Sequence, residues 1–128
     1  MVKAKKILVV DDEKGIRFLL LDFLSSEGFD VRVAKDGQES LEILERSNFD
    51  LVITDINMPG MDGISMLKTM KKAGRKEKVI LMSASPFDEK NLEPEIPSVA
   101  KHLHKPFKLD DFLGVVIDAM DSKISLSM

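Results

Sequence analysis

The sequence predicts an α/β fold, a doubly wound sheet of five parallel strands with helices on both faces. Three observations carry this. Short continuous apolar runs alternate along the chain with segments of helical period, and that alternation implies parallel strands joined by crossovers. The runs are partly β-branched and lack polar alternation, as in strands covered on both sides. The 128 residues suffice for one such domain with a real core, a chain of this size burying roughly two thirds of its unfolded surface.

Each element has its own signal. Ile7-Leu8-Val9-Val10 reads as a buried first strand. Residues 15–27 follow with helical spacing, Ile16, Leu19, Leu20, Phe23 and Leu24 sharing one side, and Gly28 is the expected stop. Residues 29–34 read as the second strand. Asp36-Gly37 is a turn, and Leu41, Ile43 and Leu44 mark the second helix. Residues 50–54 form the third strand. Met58-Pro59-Gly60 and Asp62-Gly63 are turn signals, and Ile64, Leu67 and Met70 space a third helix ending near Gly74. Residues 79–82 are the fourth strand, and 98–103 a weaker fifth. Leu109, Phe112, Leu113, Val116, Ile117 and Met120 give a final amphipathic helix. Pro86, Pro94 and Pro97 leave little room for a helix over 86–97.

Composition narrows the function classes. Hydrophobic residues are 44% and charged residues 32%, with a net charge of −3. Acids and bases are interspersed, so direct nucleic-acid binding is not expected. Cysteine is absent, which removes disulfide and thiolate chemistry. The apolar run after the basic start lasts four residues before Asp11, too short for a signal-peptide core or a membrane span. The expected location is cytoplasmic, with no membrane partner. Met1 and the tail "SKISLSM" read as natural ends of a single domain over 1–128, core about 5–121, leaving no room for a separate output domain.

In an open parallel sheet, ligands gather at the carboxyl ends of the strands. Strand one ends in Asp11-Asp12, strand three in Asp55 and strand four in Ser83; strand five ends near Lys105, followed by Pro106. Three close carboxylates repel one another. A hard divalent cation offsets that repulsion, and Mg²⁺ prefers oxygen ligands. A cation, an ammonium and a hydroxyl are also what a phosphoryl group needs around its oxygens. The chemistry read here is phosphoryl transfer to Asp55 as nucleophile.

The segments "ILVVDDE", "DLVITDINMPGMDG", "VILMSAS" and "HKPF", in that order at successive strand ends, resemble a response-regulator receiver domain, the phosphoacceptor module of two-component signalling. The resemblance covers roughly residues 5–121. It implies the flavodoxin-like strand order 2-1-3-4-5. It implies Mg²⁺ held directly by Asp12, with Asp11 helping through water and the backbone carbonyl of Asn57 completing the shell. Asp55 matches the phosphorylated aspartate, Ser83 the switch hydroxyl, Ala84 the small residue that leaves access, and Lys105 the phosphate-pairing lysine, whose bond to Pro106 is usually cis. The implied partners are a histidine kinase or histidine phosphotransfer protein and a downstream protein target.

Several readings stand beside this one. His102 falls where the family usually has an aromatic residue; a histidine there, with "GIRFLL" on the first helix, is similar to a phosphorelay carrier of the sporulation type. Gly15, Ile16 and Leu19 then become contact residues for a partner, the other reading of Ile16 and Leu19 being ordinary core, and of His102 an exposed strand end. His102 and His104 would also share a strand face, so a transition metal is a second reading there. The proline-rich 86–97 segment departs from the family's regular fourth helix. Two other function classes remain: a pseudo-receiver that binds without phosphate, and a Mg²⁺-dependent phosphohydrolase. The latter typically wants a second aspartate where this chain has Asn57.

Overall fold

The computed structural model describes residues 3–84 and 99–121. Five parallel strands form one sheet in the order β2-β1-β3-β4-β5. In chain order the elements are β1 (Lys6–Val10), α1 (Lys14–Ser26), β2 (Asp30–Ala34), α2 (Gly37–Arg46), β3 (Leu51–Asp55), α3 (Gly63–Lys72), β4 (Lys78–Ser83), β5 (Val99–His104) and α4 (Leu109–Asp121). The predicted fold class and strand order both hold. The segment 86–97 lies outside the described residues.

The apolar runs explain the layering. Successive strand residues point to opposite faces, and the central strands are apolar at both parities. Leu8, Val10, Val52, Val79 and Leu81 therefore pack on one side with Leu44 of α2 and Met66, Leu67 and Met70 of α3. Ile7, Val9, Leu51, Ile53, Ile80 and Met82 pack on the other with Leu20 and Leu24 of α1 and Phe112, Val116 and Ala119 of α4.

Helix ends follow local chemistry. Asp36 caps α2 by accepting from the Glu39 N–H at 2.8 Å, and the Glu39 carboxylate accepts from the Lys35 N–H at 2.7 Å, a reciprocal arrangement close to a capping box. Asp62 caps α3 by accepting from the Ser65 N–H at 2.8 Å. Gly28 follows α1 at φ +95°, the left-handed conformation expected of it. Beyond α3, the Arg75 guanidinium donates to the carbonyls of Leu44 and Ser47 and pairs with the buried Glu77 at 2.6 Å. Glu77 in turn accepts from the Phe49 N–H. This cluster ties the end of α2 to the starts of β3 and β4.

The structure adjusts some expectations. Leu19 and Ile117, grouped by spacing with buried residues, are 46% and 44% exposed. They sit at the margin of their helical stripes, where spacing alone does not separate core from rim. Asp50 lies just outside β3, where its carboxylate accepts from the Lys6 N–H. Strand five is shifted by one residue from the predicted range and ends at His104. His102 lies inside it and is half-buried with its Nε2 enclosed, not at an exposed strand end.

Candidate functional site

The parallel sheet brings the ends of β1, β3, β4 and β5 to one edge, and the predicted polar residues meet there. Asp11 follows β1, and its N–H continues the ladder to the Ala34 carbonyl. Its side chain is fully buried. One carboxylate oxygen accepts from the Glu13 N–H at 2.9 Å, the other from Lys105 Nζ at 2.8 Å. Asp55, the last residue of β3, is 6% exposed and accepts from the same ammonium at 3.2 Å. Asp12 is exposed. Carboxylate oxygens of Asp11, Asp12 and Asp55 lie within 4.8 Å of one another.

Lys105 is fixed from the strand it follows. Its N–H donates to the Ser83 carbonyl at 2.8 Å, and its peptide bond to Pro106 is cis, as the resemblance implies. Ser83, the last residue of β4, is buried, while Ala84 and Asn57 are exposed. Asn57 directly follows Ile56, whose backbone is bonded on both sides, to the Met82 carbonyl and the Gly63 N–H. That pair of bonds folds the loop after β3 back on its own strand. Gly63 makes the fold-back possible, because a Cβ there would collide with the Asp55 carbonyl oxygen.

Burial sets the electrostatics. It pushes the Asp11 carboxyl above its ordinary value, more than the Lys105 bond and charge pull it down, and the Asp55 charge adds to the rise. For Lys105, burial lowers the pKa, but the bonds and charges of Asp11 and Asp55 outweigh it and hold the ammonium above the usual lysine value. Among the described residues one ammonium therefore serves two buried carboxylates.

Two residues of the site were missed in the sequence. Glu13 places a carboxylate oxygen 3.5 Å from Lys105 Nζ, and Arg17 donates from Nη1 to the Asp11 carbonyl at 2.9 Å. The signal was present: Glu13 adjoins the acidic pair, and Arg17 lies one helical turn further along α1. Beside the acids, Ile16, Leu19, Ala84, Pro106 and Phe107 line an apolar cleft of about 350 Å³ that reaches Lys105. A larger cavity of about 700 Å³ opens at the opposite edge of the sheet, among Asn48, Asp50, Lys76 and Lys78, away from the carboxylate cluster. His102 and His104 stand on β5 with ring centroids 5.4 Å apart.

The three acids supply only hard oxygen donors, and among the described residues the pair Asp11 and Asp55 shares one ammonium, that of Lys105. That donor set fits Mg²⁺.

Comparison with known proteins finds similar chains. The family description "Response regulator receiver domain" matches residues 7–117. The sporulation initiation phosphotransferase F of Bacillus subtilis is 38% identical over 112 residues, covering 88% of this chain and 90% of that protein. The structure of the Vibrio cholerae chemotaxis protein CheY4 superposes with a TM-score of 0.83 at 28% identity, over 91% of this chain and 99% of that one. The response regulator TrrA of Thermotoga maritima, solved in complex with Mg²⁺ and BeF, superposes with a TM-score of 0.76 at 34% identity, covering 90% of this chain and 98% of that one.

Proposed function

The chain belongs to the response regulator receiver family of two-component signalling, and from that premise we propose that it accepts a phosphoryl group from a phosphohistidine onto Asp55. The observation that carries the reading is the meeting of Asp55 with Lys105 at 3.2 Å, inside a cluster of three carboxylates at the sheet edge.

A carboxylate oxygen of Asp55 attacks phosphorus as the P–N bond to the donor imidazole breaks, and the released nitrogen keeps the bond's electron pair and takes up a proton. Lys105 balances charge on the phosphoryl oxygens, exchanging its contacts with Asp11 and Asp55 for them. Ser83, at the end of the neighbouring strand, supplies a hydroxyl to the same group. Asp11, Asp12, Asp55 and the Asn57 carbonyl would hold Mg²⁺. Bound there, the ion neutralises charge shared between the acids and the incoming phosphoryl group. The apolar cleft beside Lys105, with exposed Leu19 and half-buried Ile16 on its α1 side, suits a helix that carries the donor histidine. Passage of the group to a second histidine, or binding of a downstream protein, would complete the signal. On this reading residues 1–128 act as a single receiver unit that catalyses only its own phosphorylation and dephosphorylation, in the cytoplasm.

Intact-mass analysis after incubation with acetyl phosphate tests this. One phosphoryl adduct is expected, dependent on Mg²⁺ and lost in Asp55→Asn. Absence of an adduct together with no consumption of the donor would support a phosphate-independent binding module. Turnover of donor without an adduct would point to hydrolysis.

A further inference from the structure

The chain contains two histidines, and both lie on β5, two residues apart. Leu103 between them packs inward with α1 and α4. Strand alternation therefore sets His102 and His104 together on the opposite face. Their register partners on β4 are Leu81 and Ser83. The rings are 5.4 Å apart by centroid and tilted by 53°.

That separation has a chemical meaning. A metal held by two imidazoles at about 2.0–2.1 Å, with a near-tetrahedral angle between the bonds, places the ring centroids about 5.2 Å apart. The observed ring spacing is within a few tenths of an ångström of this. His102 is half-buried and His104 exposed, so the pair is open to solvent on the His104 side. Imidazole nitrogen selects zinc, copper or nickel, whereas carboxylate oxygen suits magnesium. The pair thus offers a donor set unlike the one at Asp11, Asp12 and Asp55.

We propose that His102 and His104 form a bidentate site for a transition-metal dication of the zinc and copper class. Among the described residues no His, Cys, Asp or Glu completes a set of three with them, so the proposal commits to these two protein ligands. The site is independent of the phosphoryl-acceptor reading and needs no phosphorylation.

The experiment is a Zn²⁺ titration of the whole chain by calorimetry, in millimolar Mg²⁺ so that the carboxylate cluster is occupied. It is paired with proton NMR, where two histidines give two ring Hε1 signals. One equivalent of Zn²⁺ is expected, with both imidazole signals shifting together. His102→Gln and His104→Gln should each weaken Zn²⁺ binding by roughly tenfold or more, since each removes the chelate partner. Their melting temperatures should stay near wild type, and Asp12→Ala should bind Zn²⁺ normally. Zn²⁺ binding that survives both histidine variants, is lost in Asp12→Ala, or moves only one ring overturns the proposal. So does an absence of binding.

Discussion

Lys105 reaches Asp11 at 2.8 Å across 94 residues of chain, joining the end of β5 to the end of β1. The Lys105 side chain is 11% exposed and the Asp11 side chain is fully buried. Neither can exchange its partner for solvent, so breaking the pair leaves a charge uncompensated inside the protein.

Lys105→Ala should therefore destabilise the metal-free protein by roughly 2–4 kcal/mol, the cost of removing one member of a largely buried ion pair. Urea unfolding measures this. Millimolar Mg²⁺ should recover more stability in the variant than it adds to wild type, because a cation replaces the missing one. An equal Mg²⁺ increment in both proteins would show that the ammonium does not compensate these acids.

Mg²⁺ itself should raise the melting temperature of wild type by binding the native state alone. At tenfold above its dissociation constant the gain is about 1.4 kcal/mol, a shift of several degrees for a domain of this size. Asp12→Ala should lose most of it. Without divalent ions Asp12→Asn should melt above wild type, since it relieves repulsion while keeping Lys105 on Asp11 and Asp55. Identical Mg²⁺ shifts in wild type and Asp12→Ala would place the ion elsewhere.

Gly63→Ala should destabilise by roughly 1–3 kcal/mol, because the new methyl group meets the Asp55 carbonyl oxygen, a backbone atom held in the sheet. The collision lies on the nucleophile's own peptide unit. Adduct formation from acetyl phosphate should slow even under conditions where the variant is fully folded. A variant with wild-type stability and wild-type rate would mean that the loop yields freely.

Glu77 governs part of the acid limb. Burial alone would raise its pKa, but hydrogen bonds and charge from Arg75, together with the Phe49 N–H, outweigh this and hold it below 4.5. A lowered carboxylate pKa adds stability that is complete above the unfolded value and lost as pH falls through the folded one. Wild type should thus exceed Glu77→Gln in unfolding free energy at pH 7, and the gap should narrow below about pH 4.5. A pH-independent gap would assign the effect to packing.

The fold was legible because each central strand is a continuous apolar run and each helix carries a periodic stripe. Asp55, Asp11 and Lys105 were legible because they follow such runs, and the topology of a parallel sheet brings strand ends together. What escaped was settled by contacts between distant segments. Nothing local distinguishes Leu19 from Leu20; only the packing of α1 leaves one at the rim and the other inside. Arg75 and Glu77 look like part of a charged loop until the end of α2 supplies carbonyls for the guanidinium. Gly63 reads as one more turn glycine, its close approach to Asp55 arising only once the loop folds back.

The alternation of β1, β3 and β4 between two apolar layers makes the sheet a partition. Leu24 and Met70 are both buried, yet they belong to separate packings with a sheet of backbone between them. Truncations on opposite sides should add nearly independently, whereas pairs within one layer should not. Such a protein has two separable mutational economies. The α1 and α4 side can drift to suit one interlocutor while the α2 and α3 side keeps its own packing, and the carboxylate edge, shared by both, is where the two constraints meet.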